Sequence, residues 1–131
     1  IFEDSIKPMV DEFMAAGAKG ASVLLKEVHD PSRYGVATVK GNKIIHIVEK
    51  PEIPPSNLAV TGIYIFDSSV FDFIKTLGPS ARGELEITDV NNHFVQRGDL
   101  RFAMMKGWWT DAGTFDSWFH ANQLAFGNLK G

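Results

Sequence analysis

Ile6, Met9, Val10, Phe13 and Met14 recur at i, i+3, i+4, i+7 and i+8, the spacing of one helix face, and Val23-Leu24-Leu25 then follow as an unbroken apolar run. A strand that is apolar on both sides must be covered on both sides, the habit of a parallel sheet flanked by helices. Helix followed by such a strand is half of a βαβ unit, so the chain is expected to be α/β. Ser5 or Asp4 can cap the helix, Pro8 fits only its first turn, and Gly17 can end it. The strand that should precede this helix is expected upstream of Ile1. With no initiating Met, the chain reads as a piece of something longer.

Ala21 to Val28 is the expected strand. Beyond the loop His29–Arg33, Tyr34 to Val39 and Lys43 to Glu49 read as the arms of a hairpin around Gly41-Asn42, two residues that tolerate positive φ. Pro51, Pro54 and Pro55 make residues 51–56 a loop. Leu58 to Phe66 is a second apolar strand, and its isolated Gly62 suggests a bulge or a close backbone approach. Ser68 or Ser69 is expected to cap a helix that buries Val70, Phe71, Phe73, Ile74 and Leu77 and stops at Gly78-Pro79. A helix of about ten residues should use Ile87, Val90, Phe94 and Val95 and end at Gly98. Leu100 to Met105 is a third core strand, and Trp108-Trp109 is expected to begin a fourth short one. Thr114 is placed to cap a last helix with Phe115, Trp118, Phe119, Leu124 and Ala125.

Composition excludes several chemistries. The 131 residues suffice for one domain with a core, and 44% apolar with 22% charged is ordinary for a globular protein. A net charge of -3 without a basic run argues against nucleic-acid binding. Zero cysteines exclude disulfides, thiolate metal sites and cysteine nucleophiles, and suit a cytoplasmic protein. No apolar run reaches membrane-spanning length. His29, His46, His93 and His120 show no metal-ligand spacing, and neither G-x-x-x-x-G-K nor G-x-G-x-x-G occurs.

Five stretches carry possible chemistry. Glu49-Lys50 places an acid and a base where a strand runs into a proline loop; Glu49 can accept from hydroxyls and Lys50 can meet a phosphate, or both are solvated charges at a strand end. Tyr34-Gly35 combines an aromatic cover with an open backbone, or is simply a core tyrosine beside a strand-start glycine. Val60-Thr61-Gly62 offers similar backbone access. Arg82-Gly83-Glu84-Leu85-Glu86 is either a phosphate-facing arginine held by carboxylates or the charged start of a helix. Trp109-Thr110-Asp111-Ala112-Gly113-Thr114 puts a carboxylate at a strand end, where ligands of open α/β sheets bind, though Asp111 can equally cap a turn.

Taken together, Tyr34-Gly35-Val36, Glu49-Lys50-Pro51, Ser56 to Tyr64, Ser80 to Asn91 and Trp109 to Thr114 resemble, in order and over nearly the whole chain, the sugar-1-phosphate nucleotidyltransferases. Within that family the resemblance is to the glucose-1-phosphate thymidylyltransferases. It implies a partial doubly wound, Rossmann-like sheet with a β-hairpin, residues 1–131 forming the later, sugar-phosphate-binding part of the catalytic domain. It implies that Glu49 binds sugar hydroxyls and Lys50 the sugar phosphate, with Lys50 and Asp111 the catalytic pair. Gly35 and Val60 would give backbone contacts, Tyr34 and Trp109 would shape the pocket, and Arg82 would be a further phosphate contact. Asp111 would be one of two aspartates holding Mg²⁺.

The implied reaction is attack of glucose 1-phosphate on the α-phosphorus of dTTP, giving dTDP-glucose and pyrophosphate. The family's glycine-rich nucleotide loop and its other metal aspartate have no counterpart in these residues, so the isolated chain is expected to be inactive. Its sheet, cut short, is expected to self-associate through exposed strand edges. Two alternatives stand: a noncatalytic sugar-phosphate-binding or regulatory module, and a relative using UTP or GTP, or mannose 1-phosphate.

Overall fold

The computed structural model describes residues 1–128. The elements run α1 (Lys7–Ala15), β1 (Ala21–Glu27), a 3₁₀ turn (Pro31–Arg33), β2 (Gly35–Lys40), β3 (Lys43–Glu49), β4 (Leu58–Phe66), α2 (Ser69–Ile74), α3 (Ile87–Arg97), β5 (Leu100–Met104) and α4 (Phe115–Asn128). The strands make one mixed sheet in the order β3-β2-β4-β1-β5. Only β1 and β5 pair in parallel; β1–β4, β4–β2 and β2–β3 are antiparallel. No helix of the described residues is long and apolar enough to cross a membrane.

β1 is the strand on which both layers close. Ala21, Val23 and Leu25 point into one core with Ala37, Ile47, Val60, Val90 and Phe94. Leu24, between them, points the other way and meets Met9 of α1 and Met105. Each such side chain is worth about 1.5–3 kcal/mol when fully buried, so the unbroken apolar run anchors a helix layer on each face. The expected double-sided burial holds, although one of the two neighbours of β1 is antiparallel.

Gly62 sits at φ 79° inside β4, where the β1–β4 register jumps from Val23↔Tyr64 to Leu25↔Val60. This is the bulge its isolated glycine implied, and Thr61 donates from it to the Leu24 carbonyl at 2.9 Å. The β2–β3 turn does fall at Gly41-Asn42, but only Gly41 has positive φ, at 62°. A first central glycine alone in that region is the pattern of a II′ turn.

Several sequence expectations need correction. Neither Ser68 nor Ser69 caps α2 with its side chain; Asp67 does, accepting from the Ser69 N–H at 2.9 Å and, through its other oxygen, from Gly20 N–H at 2.6 Å. A carboxylate that can bind two segments at once outcompetes a neighbouring hydroxyl. Phe71 and Ile74 are exposed, as are Ile6 before α1 and Val10 and Met14 within it; α1 buries only Met9 and Phe13, and α2 only Val70. Asp4 does not cap α1; it accepts from the Lys106 and Gly107 N–H groups, while Ser5 Oγ accepts from Lys7 N–H.

Trp108-Trp109 does not begin a strand. Trp109 forms an isolated antiparallel bridge with Phe2, flanked by Glu3 N–H to Trp108 O and a mutual pair between Ile1 and Thr110. The last helix is capped by Thr114, whose Oγ accepts from Ser117 N–H at 3.1 Å, as its position implied. Of its apolar residues, Phe115, Trp118 and Phe119 are exposed, Leu124 and Ala125 are half-buried and Ala121 is buried.

Candidate functional site

The hairpin, the β4 bulge, the start of α3 and the segment after β5 converge on one cleft of about 230 Å³. Gly35, Glu49, Val60, Tyr34, Trp109 and Asp111 all line it. Six residues scattered over nearly eighty positions therefore share one surface. Arg82 reaches the same place from outside the lining, with Nη1 3.9 Å from Glu49 and 3.6 Å from Glu86. Lys50 does not line the cleft. It is exposed, at φ 41°, one residue beyond the end of β3.

Glu49 is held from two sides. Thr88, buried on the first turn of α3, donates to Oε2 at 2.5 Å. The guanidinium of Arg82 lies toward Oε1 and is shared with Glu84 at 3.2 Å and Glu86. Partly exposed pairs of this kind contribute little stability; their effect here is to orient a carboxylate. A bare backbone at Gly35 serves the same contact. A Cβ there would come within 3.2 Å of Glu49 Oε2 and 3.3 Å of Thr88 Oγ1, so the backbone stays bare where the acid turns into the cleft.

The opposite wall is built from a stretch without regular structure. Asp4 ties down the N–H groups of Lys106 and Gly107, and Lys26 Nζ donates to the carbonyls of both, at 3.1 and 2.7 Å. The bridge from Phe2 then sets Trp109, which packs edge-on against Tyr34. Asp111 follows, with Oδ2 3.9 Å from Arg33 Nη2. Burial, then the Asp111 carboxylate, raises the Tyr34 phenol above its usual value, opposed by Arg33. Tyr64, also in the lining, is pushed up to about 12 by burial and then by the charge of Glu49. Both phenols are thus neutral hydrogen-bonding groups at neutral pH.

Asp111 also lines an adjoining depression of about 420 Å³ with Arg33, Thr114, Asp116 and His120. Among the described residues no three His, Cys, Asp or Glu side chains gather as a metal site. A single carboxylate still fits Mg²⁺, which takes one or two protein carboxylates and fills its octahedron with phosphate oxygens and water. A separate depression of about 430 Å³ lies between the starts of β3 and β5, lined by Glu12, Lys43, Asp99 and Arg101 among others, remote from every motif residue.

Arg33, Thr61, Gly62, Tyr64, Ile87 and Thr88 complete the lining; Thr61 and Gly62 belong to the backbone-access stretch, whereas Arg33, Tyr64, Ile87 and Thr88 carried no site assignment from the sequence. Thr88 and Tyr64 lie inside the stretches Ser80 to Asn91 and Ser56 to Tyr64, so their signal was proximity to motif residues. Arg33 directly precedes Tyr34, in a loop that gives no periodicity to read.

Relatives agree with this architecture. The chain is 40% identical over 127 residues to the low-salt glycan biosynthesis nucleotidyltransferase Agl11 of Haloferax volcanii, covering 95% of this chain and 35% of that protein. It is 48% identical over 105 residues to a glucose-1-phosphate thymidylyltransferase of Xanthomonas campestris, covering 78% and 36%. Among solved structures, a Bacillus anthracis protein assigned as a glucose-1-phosphate thymidylyltransferase and solved with sucrose superposes with a TM-score of 0.87 at 58% identity, over 95% of this chain and 50% of that one. A UDP-glucose pyrophosphorylase complexed with UDP-glucose superposes at 0.83 with 27% identity, over 98% and 52%. The chain thus spans about a third of these curated relatives and half of the solved chains. Residues 1–126 match the family described as Nucleotidyl transferase, and the chain belongs to it.

Proposed function

We propose that these residues form the sugar-phosphate side of a nucleotidyltransferase site that couples glucose 1-phosphate to dTTP, giving dTDP-glucose and pyrophosphate. One observation carries the reading: the Glu49 and Asp111 carboxylates, far apart in sequence, line one cleft with the bare backbone of Gly35 and the ring of Trp109. Glu49, acceptor-only when ionised, takes sugar hydroxyls. Trp109 and Tyr34 give the sugar an apolar wall. Lys50, just outside, and Arg82 take the phosphate by charge-assisted hydrogen bonds. Asp111 would hold Mg²⁺ when the substrates are bound. When bound, the metal neutralises charge on the phosphates. What the protein adds is alignment, because phosphoryl and nucleotidyl transfer need positioning more than covalent help.

The choice of dTTP over UTP or GTP belongs to the same proposal, supported by the 48% identity to a thymidylyltransferase against 27% to a UDP-glucose pyrophosphorylase. So does a cytoplasmic place of action. Calorimetry of glucose 1-phosphate against the chain and its Glu49→Gln variant tests the site: the substitution should weaken binding by about 1.5–3 kcal/mol, the range for a charged hydrogen bond. Equal affinity for both proteins would remove Glu49 from the site.

By itself the chain should not turn over, since among the described residues no three metal-ligating side chains gather and no phosphate-cradling glycine loop occurs. Pyrophosphate release dependent on dTTP and Mg²⁺ would overturn this. The place of β5 at the end of the sheet and the exposed Phe115, Trp118 and Phe119 further support self-association. Light scattering that gives a monomer at every concentration would refute it.

A further inference from the structure

Helix α3 touches strand β3 at two places one helical turn apart. Thr88 donates to the Glu49 carboxylate. Asn92, four residues on, grips both backbone groups of Ile47: the Ile47 N–H donates to Asn92 Oδ1 at 2.9 Å, and Asn92 Nδ2 donates to the Ile47 carbonyl at 2.7 Å. The amide orientation is fixed by having one donor and one acceptor to face. The spacings match as well. Four helical residues rise about 6 Å, and two strand residues rise about 6.6 Å. With the helix running against the strand, both contacts form without bending either element.

β3 is an edge strand, so the outward N–H and C=O of Ile47 have no strand to pair with. The Asn92 amide takes that place at a single residue. Ile47 and Glu49 lie two apart and share a face of the strand, and the Ile47 side chain is 1% exposed within the core. A shift at Ile47 is therefore carried to Glu49. Beyond Glu49 a single further backbone bond, Lys50 N–H to the Tyr34 carbonyl at 3.0 Å, ties the strand end before the chain enters the proline loop.

We propose that Asn92 is a positioning residue for the sugar-binding carboxylate: by clamping Ile47 it sets the register of β3 against α3 and so holds Glu49 where Thr88 and the cleft meet it. This rests on the reading of Glu49 as the acceptor of hexose hydroxyls.

Asn92→Leu removes both bonds and keeps the branched shape of the side chain. It should displace the ¹³Cδ resonance of Glu49 and weaken glucose 1-phosphate by about five- to tenfold, the loss expected when a hydrogen-bonded group is misaligned. Ser56→Ala is the control, since it removes a comparable side-chain bond to the Ala37 carbonyl on β2. It should lower the unfolding midpoint while leaving the Glu49 resonance and the affinity in place. A Glu49 resonance unchanged in Asn92→Leu, or moved as far by Ser56→Ala, would overturn the proposal. Should Asn92→Leu not fold, Asn92→Asp keeps the acceptor for Ile47 N–H and carries the same comparison. If the chain itself binds no glucose 1-phosphate, the sugar-site reading fails, while the carbon resonance still decides the role of Asn92.

Discussion

The ring of Tyr34 meets the ring of Trp109 edge-on, 5.1 Å between centroids with the planes inclined at 65°. One residue opens the hairpin and the other lies on the segment after β5, so the two walls of the cleft are fixed to each other by side chains. Edge-to-face pairs contribute about 0.5–1.5 kcal/mol beyond the area they bury. A cycle of Tyr34→Leu, Trp109→Leu and the double variant in urea denaturation should show a coupling of that size. Losses that simply add would mean that the walls are held independently.

Gly35 offers a second test of the same cleft. A methyl group at residue 35 must displace either the Glu49 carboxylate or the Thr88 hydroxyl by a few tenths of an ångström. Both are ends of side chains, so Gly35→Ala should fold with a stability change of about 1 kcal/mol or less. Its glucose 1-phosphate affinity should nonetheless fall by about tenfold or more, as for a broken charged hydrogen bond. An affinity equal to the wild type would show that the Glu49–Thr88 contact is not needed for binding.

Much of this arrangement was legible in the sequence wherever one residue dictates its own surroundings. Val23-Leu24-Leu25 required cover on both faces and received it; Gly62 announced the β4 bulge, and Gly98 ended α3 at φ 76°. What could not be read is competition between partners. Periodicity in α1 and α2 marks apolar faces but not whether anything covers them, and Ile6, Phe71 and Ile74 remain exposed. Asp67 won the α2 cap because it also binds Gly20, forty-seven residues away in sequence. Likewise the wall carrying Trp109 and Asp111 is pinned by Asp4 and Lys26, contacts no local pattern encodes.

That Asp67 cap has a measurable consequence. Its carboxylate lies below the usual range, first through the Ser69 side-chain hydrogen bond and then through the Gly20 and Ser69 N–H groups. A depressed value means stability present above pH 3.8 and lost as pH falls through the folded value. Asp67→Ala should cost about 0.5–2 kcal/mol at neutral pH, the usual loss for an N-cap, and should flatten the acid limb of the unfolding curve. An unchanged acid limb would place the acid sensitivity elsewhere.

At the alkaline end Tyr64 contributes alongside Tyr34, whose phenol is also raised. Burial, and then the charge of Glu49, pushes the Tyr64 phenol up from 10.0 to about 12. The folded state therefore holds the proton more tightly, and stability is full below pH 10 and falls as pH rises toward 12. Two units correspond to roughly 2–3 kcal/mol, less any screening at the partly exposed ring. Tyr64→Phe should keep its stability across pH 10–12 better than the wild type in guanidinium titrations. Parallel curves for the two proteins would mean that other groups set the alkaline limit.

Lys50 is where stability and function should part. It holds φ 41°, in the left-handed region that costs an ordinary residue about 1–2 kcal/mol. Strain of this kind persists at sites where the surrounding structure imposes it, often for a functional geometry. Glycine adopts the same φ freely but is more disordered when unfolded, so Lys50→Gly should gain at most about 1 kcal/mol in unfolding free energy. If the ammonium group meets the sugar phosphate, the same variant should lose about 1.5–3 kcal/mol of glucose 1-phosphate binding. A more stable protein that binds less tightly is the expected pairing, read by urea denaturation and calorimetry on one preparation. Unaltered binding in a stabilised Lys50→Gly would leave the strain as a demand of the turn into the proline loop, and would move the phosphate contact to Arg82.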